Sequence, residues 1–95
     1  MKYIIDIDGT ICTPQRSGEY HLAEPYRDRI QQLNELHQQG HEIVYWTARG
    51  MSSGLDHTEL TKQQLTEWGC EYTALFMNKP HYDVWVDDKA DWIFR

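Results

Sequence analysis

The chain starts with a run of strand-forming residues, Tyr3–Asp8, which ends in two acids and is followed by Gly9 and Thr10. If this run forms a strand, alternate side chains share a face, so the carboxylates of Asp6 and Asp8 point the same way. The run is apolar nearly throughout, which is typical of a central parallel strand covered on both faces. We therefore expect the sheet to be organised around it.

The acid pair at the end of this strand has two interpretations. Two carboxylates on one face repel each other unless a cation lies between them, and a hard divalent ion such as Mg²⁺ prefers oxygen ligands. Gly9 lets the backbone turn sharply and present N–H groups to an anion. The alternative is an acidic turn, because Asp-Gly after a strand is a common loop signal.

Size and charge limit the function classes. Ninety-five residues make one domain, residues 1–95, and a net charge of −6 argues against nucleic-acid or anionic-membrane binding. No apolar run is long enough to span a bilayer and no signal peptide precedes the first strand, so we expect a cytoplasmic protein. Cys12 and Cys70 lack metal-ligand spacing, and in that compartment we expect free thiols rather than a disulfide.

Helix and strand signals alternate along the rest of the chain, which predicts right-handed crossovers and an α/β fold with a mostly parallel sheet. The end of the chain, residues 92–94, is expected to be a last strand or a turn packed on the core. The predicted elements are a helix opened by Pro25 and closed by Gly40, a strand at Glu42–Thr47, a helix capped by Asp56 with Leu60, Leu65 and Trp68 facing inward, and strands at Tyr72–Phe76 and Asp83–Asp87.

Polar residues stand where the predicted strands end. In an open parallel sheet, sites form outside the carboxyl ends of the strands. Taken singly, each of these residues has an ordinary turn or surface explanation. Together they place acids, a hydroxyl and an ammonium at one edge: Asp6, Asp8, Thr47, Lys79, Asp87 and Asp88.

This set suits phosphoryl transfer through an aspartyl-phosphate. A carboxylate attacking phosphorus divides one difficult step into two, and Mg²⁺ screens its repulsion from a dianionic phosphate. Asp6 would attack, and Asp8 would give a proton to the leaving oxygen and later take one from water. Thr47 would hydrogen-bond a phosphoryl oxygen, and Lys79 would neutralise charge on phosphate and nucleophile.

The predicted metal site uses the same edge. Asp6 would ligate Mg²⁺ as well as attack, and the backbone carbonyl of Asp8 would reach the ion. Asp87 would complete the ligand shell, with Asp88 or Asp91 in support.

The motifs resemble, in order, those of the haloacid dehalogenase (HAD) superfamily of phosphohydrolases. The resemblance is carried by Asp6-Ile7-Asp8-Gly9-Thr10, which looks like the family's DxDGT motif, by Thr47, by Lys79-Pro80, and by Asp87-Asp88 with Asp91. It implies a three-layer Rossmann-like core without a cap domain, with Asp6 as nucleophile, Asp8 as acid/base and Mg²⁺ held by Asp6, Asp8, Asp87 and Asp88. Because relatives that cleave carbon–halogen bonds lack the second Asp, it favours phosphomonoester hydrolysis.

Two further stretches, 45–51 and 86–90, are similar to small HAD proteins associated with capsular or surface-polysaccharide synthesis. That resemblance implies a small phosphorylated substrate such as a sugar phosphate. The expected substrate contacts are Gly9, Thr10, Thr47, Ala48, Arg49 and Lys79. A short sheet edge and an uncapped site favour a homo-oligomer that covers one of them, although a monomer with a short, protected last strand is an alternative.

Two other functions remain open. A receiver-type domain shares the acids, the Thr and the Lys, but it needs its acceptor Asp at the end of a middle strand, where this chain has Thr47. A non-catalytic phosphate-binding module is the other alternative, although every expected catalytic residue type is present.

Overall fold

In the computed structural model, which describes all 95 residues, three parallel strands lie side by side with two helices between them in the chain. The α/β prediction is confirmed. The strands pair in the order β1-β2-β3, and a short 3₁₀ turn at Tyr20–Leu22 precedes the first helix. The elements are β1 (Lys2–Ile5), α1 (Arg27–Gln38), β2 (Glu42–Trp46), α2 (Thr58–Glu67) and β3 (Ala74–Phe76).

The middle strand of the sheet is β2, not β1 as the sequence predicts. Ile4 of β1 pairs with Val44, which in turn pairs with Ala74 of β3. Residues 43–45 are all buried, as expected for a parallel strand covered on both faces. The second edge of β1 has no strand partner, and Ile4 is 53% exposed.

Helix α1 lies between its predicted bounds, Pro25 and Gly40. Ile30 and Leu33 face the core, and Gly40, at φ 96°, takes the left-handed conformation that ends a helix. The helix begins two residues after Pro25, because Tyr26 has an extended backbone and serves as the N-cap. The Tyr26 N–H donates to the carbonyl of Ile11.

Helix α2 differs from the prediction on its inner face. Leu65 and Trp68 are buried as expected, but Leu60 is only partly buried. Thr61 and Gln64 are buried instead. The predicted Asp56 cap is not formed, because the N-cap of α2 is His57 and makes no side-chain capping bond. Asp56 lies one residue earlier and accepts a hydrogen bond from the Thr58 N–H at 2.9 Å.

The core lies between the sheet and the helices. Cys12 and Cys70 are free thiols, and neither helix has the length and apolar character needed to cross a bilayer. The buried cluster contains Ile5, Ile7, Ile11, Cys12, Ala23, Ile30, Leu33, Ile43, Tyr45, Leu65 and Trp68.

The predicted strand at Asp83–Asp87 is wrong. This segment pairs with no strand, and Val84 and Val86 are 77% and 92% exposed. Its polar groups are satisfied locally, because Asp87 accepts hydrogen bonds from the Lys89 N–H and the Trp85 indole. Residues 92–94 also form no strand, but Ile93 and Phe94 pack half-buried against the core, as the predicted turn would.

We expect Val86→Ala to change the free energy of unfolding by less than about 0.5 kcal/mol, because the side chain is almost fully exposed. Ile43→Ala, at a fully buried position of β2, is the comparison and should cost about 2–5 kcal/mol. Urea unfolding of both variants measures the difference. A cost for Val86→Ala in the range of the Ile43 variant would show that residues 83–87 are buried in a sheet.

Candidate active site

The carboxyl ends of β1 and β2 open into a cleft of about 440 Å³. It contains five of the predicted site residues, together with the loop before α1 and the loop after β2. Another cavity, of about 400 Å³, runs along α1 and holds none of them. The cleft is lined by Asp6, Asp8, Gln15, Ser17, Tyr20, Thr47, Ala48, Arg49, Gly50, Ser52, Ser53 and His81.

Asp6 reaches the cleft and forms an ion pair with Lys79. The Lys79 ammonium lies 3.7 Å from the Asp6 carboxylate, and the two side chains are 13% and 37% exposed. The loop after β3 is fixed at this point, since the Lys79 N–H donates to the carbonyl of Thr47. Desolvation raises the pKa of Asp6 above its ordinary value of 3.8, and the Lys79 charge offsets part of that rise.

Asp8 forms a closer pair with Arg49. The guanidinium donates through Nε to Asp8 Oδ2 at 2.9 Å and through Nη2 to Asp8 Oδ1 at 2.8 Å. Such two-point geometry fixes the orientation of the carboxylate as well as its charge. The Arg49 side chain is fully buried, whereas that of Asp8 is 20% exposed and faces the cleft.

Thr47 is placed as the sequence predicts. It is buried at the end of β2, and its N–H donates to the carbonyl of Phe76. Its hydroxyl oxygen accepts from the Arg49 N–H at 3.2 Å, while the hydroxyl proton is not engaged in a hydrogen bond within the protein. The hydroxyl can therefore donate to a ligand in the cleft.

Gly9 and Thr10 do not line the cleft, so their predicted contact with substrate is not seen. Gly9 has the expected positive φ, of 81°, and turns the chain after Asp8. Its N–H donates to the carbonyl of Cys12, and the Thr10 N–H donates to that of Ile7. These amides close the turn itself, and so they are not free to bind an anion.

The acids predicted to complete the metal site lie outside the cleft. Asp87 and Asp88 are exposed, Asp87 is bonded within its own turn, and Asp91 accepts from the Trp92 N–H. No group of three acidic, histidine or cysteine side chains in the protein is arranged to hold a metal ion. The predicted ligand set is not brought together because residues 83–87 do not join the sheet.

The residues that surround Arg49 are functional candidates that the motifs did not predict. Arg49 Nη1 donates to Thr61 Oγ1 at 3.2 Å and to Gln64 Oε1 at 2.6 Å, and the guanidinium carbon lies 4.7 Å from the centre of the Tyr20 ring. A signal was present, since residues 61, 64, 65 and 68 have the spacing of one helix face. Two polar residues on an otherwise apolar face indicate a buried polar partner.

We expect Asp6→Asn to raise the free energy of unfolding at pH 7, by less than about 1 kcal/mol because the Asp6 side chain is partly exposed. The folded protein keeps the Asp6 proton to higher pH than the unfolded chain does. The wild type therefore loses stability as pH rises from about 4 through the folded pKa, and the variant avoids this loss.

Urea unfolding at pH 3 and pH 7 measures the effect. Asp28→Asn, on the exposed surface of α1, is the matched control and should give no gain. An Asp6→Asn variant that is less stable than the wild type at pH 7 would contradict the desolvation of this carboxylate.

Comparison with known proteins found no matching family model and no matching curated protein. Among solved structures, the chain is similar to the crystal structure of a structural genomics target from Vibrio cholerae, with a TM-score of 0.84 and 32% sequence identity. The similarity covers 95% of this chain and 81% of that one. Sequence and fold are thus shared over most of both proteins.

Proposed function

We propose that this chain, which belongs to the same family as the Vibrio cholerae protein, is a HAD-type phosphomonoester hydrolase acting through an aspartyl-phosphate. One observation carries the proposal. Asp6, Asp8 and Thr47 meet in a single cleft at the carboxyl ends of β1 and β2, and each acid is paired with a cation. Acids, a hydroxyl and fixed positive charge are the groups that phosphoryl transfer requires.

Asp6 is the proposed nucleophile. Its carboxylate is the more exposed of the two acids and faces the cleft. One of its oxygens would form a bond to phosphorus as the bond to the leaving oxygen breaks. Water would then cleave the aspartyl-phosphate and release inorganic phosphate.

Asp8 is the proposed proton carrier. It would give a proton to the leaving oxygen and take one from the attacking water. Thr47 would donate its free hydroxyl proton to a phosphoryl oxygen. Lys79, 3.7 Å from Asp6, would reduce the repulsion between the nucleophile and a dianionic phosphate.

Magnesium does not fit the cleft as it is arranged here. Both carboxylate oxygens of Asp8 are bonded to Arg49, which leaves only its backbone carbonyl for an ion, and no third protein carboxylate approaches Asp6. We therefore assign the stabilising charge in this arrangement to Lys79 and Arg49. A requirement for Mg²⁺, held by Asp6, Asp8, Asp87 and Asp88, stays a prediction of the sequence.

The proposed substrate is a small phosphorylated metabolite such as a sugar phosphate. Beyond the acids, the cleft wall is largely hydroxyl, amide and imidazole, from Gln15, Ser17, Ser52, Ser53 and His81. Such groups hydrogen-bond the hydroxyls of a polyol, and about 440 Å³ accommodates a molecule of that size. The link to surface-polysaccharide synthesis rests on resemblance alone.

A phosphate-binding module without catalysis is the second candidate. It is favoured by the Asp8–Arg49 ion pair, because the proposed proton carrier, Asp8, is already bound to a cation. A receiver-type domain is disfavoured, since β2 is followed by Thr47 and not by an Asp, and the Asp87-Asp88 pair does not join the cleft.

A homo-oligomer is also proposed, because the free edge of β1 and the exposed Ile4 offer a surface that a second copy would cover. Light scattering at micromolar concentration measures the mass of the particle. We expect a dimer or larger, and a single monomeric mass would contradict the proposal.

We expect the protein to hydrolyse p-nitrophenyl phosphate and Asp6→Asn to abolish the activity, since an amide cannot attack phosphorus. Asp8→Asn should lower kcat by about 10²–10⁴-fold, the usual contribution of a general acid/base. Release of p-nitrophenol gives the rate, and Asp28→Asn is the control that should keep it. Wild-type activity in Asp6→Asn would rule out Asp6 as the nucleophile.

Repeating the assay with Mg²⁺ and with a chelator tests the metal prediction. Loss of activity in chelator, together with a weaker response to Mg²⁺ in Asp87→Asn, would show that residues 83–87 reach the cleft during turnover. Equal activity in both conditions would show that Lys79 and Arg49 suffice.

A further inference from the structure

Arg49 is a buried cation whose charge is balanced from the cleft side only. Its side chain is fully buried, and four of its five N–H groups have partners. Two of those bonds go to Thr61 and Gln64, which are neutral. The only carboxylate that Arg49 contacts is Asp8, which lies between the guanidinium and the cleft.

The neutral side of this arrangement forms a cradle that does not depend on Asp8. Thr61 is itself fixed, because its hydroxyl donates to the carbonyl of His57 at 2.8 Å. Gln64 is fixed in the same way by donating to the carbonyl of Tyr20 at 2.6 Å. The Tyr20 ring covers the guanidinium face at 4.7 Å. The cradle would keep the guanidinium in place if Asp8 moved away.

A guanidinium in such a cradle needs an anion in front of it. Leaving it buried without a counter-charge is strongly unfavourable, so Asp8 can leave only if another anion replaces it. Phosphate oxygens match the two-point geometry of the guanidinium as well as a carboxylate does. The cleft beside Asp8 is open to such an anion, and Lys79 offers a second cation next to Asp6.

We propose that the Asp8 carboxylate is bound to the Arg49 guanidinium in the free protein and that the phosphate oxyanion of a ligand replaces it there. The exchange deepens the proposed function, on which its catalytic meaning rests. With both oxygens bonded to Arg49, Asp8 is held in one orientation and cannot turn towards a leaving group. Once displaced, it is free to carry a proton, and Arg49 becomes a phosphate-binding residue. Substrate binding itself thus releases the acid/base.

Binding of inorganic phosphate to the full chain tests the exchange without any need for turnover. Asp8→Asn keeps the shape of the side chain and removes the competing charge, so phosphate should bind about tenfold tighter than to the wild type. Asp6→Asn is the matched control. It removes one negative charge from the same cleft but leaves Asp8 bound to the Arg49 guanidinium. Its gain in phosphate affinity should therefore be clearly smaller.

The double variant Asp8→Asn/Arg49→Met removes the guanidinium as well and should lose the gain of Asp8→Asn. Isothermal titration calorimetry at pH 7.5 gives each affinity, and the phosphate-dependent rise in Tm gives an independent measure. Should the double variant fail to fold, Arg49→Lys in the Asp8→Asn background retains the charge without the two-point geometry and should lose most of the gain.

Equal gains in phosphate affinity in Asp8→Asn and Asp6→Asn would overturn the proposal, because phosphate binding would then depend only on the total charge of the cleft. Unchanged or weaker phosphate binding in Asp8→Asn would overturn it too. These outcomes are separate from failure of the proposed function. Absence of hydrolysis with the expected phosphate affinities would leave a phosphate-binding protein, whereas hydrolysis with equal gains would leave the enzyme without the exchange.

Discussion

Two carboxylates at the end of one strand are the constraint on which the site depends. Asp6 and Asp8 lie two residues apart in a chain of net charge −6, and together they would repel any anion. The fold supplies one cation to each, Lys79 from the loop after β3 and Arg49 from the loop after β2. Two cations therefore balance the two acids, as the proposed binding of a phosphorylated ligand to an acidic protein requires.

The two ion pairs differ in what they can do. Asp6 lines the cleft, and Lys79, 3.7 Å from it, does not line the cleft but balances its charge from behind. Asp8 and Arg49 are joined by two short bonds within a network that also includes Tyr20, Thr61 and Gln64. A buried ion pair adds little net stability, but it fixes orientation. In the proposed mechanism the first pair takes part in the chemistry directly, and the second holds Asp8 until a ligand displaces it.

Sequence patterns predicted the features that depend on neighbouring residues in the chain, such as strand composition and helix ends. The apolar run of β2 and the left-handed Gly40 after α1 were found as expected. The N-cap of α2 is His57 and not the predicted Asp56. The predicted strand at 83–87 needed a partner edge, and no sequence pattern states which edge is available. Its absence also separates Asp87 from Asp6. The predicted metal site therefore depends on the pairing of residues 83–87 with an edge of the sheet.

The sequence predicted which residues line the site, but not which of them form ion pairs and hydrogen bonds with one another. Strand ends placed Asp6, Asp8 and Thr47 at one edge, and the structure brings them together. The helical spacing of Thr61 and Gln64 indicated a buried polar partner. Nothing in the sequence identified that partner as Arg49 or joined Arg49 to Asp8, 41 residues away. Those contacts arise from the packing of α2 against the loop after β2, which only the folded chain defines.

The central claim is that Asp6 takes up the phosphoryl group. The most direct measurement is acid quenching of the protein during turnover of a substrate labelled in its phosphoryl group. We predict covalent label that hydroxylamine removes, as an acyl phosphate requires, and no label in Asp6→Asn. Turnover without protein-bound label in the wild type, or equal label in the variant, would contradict the account.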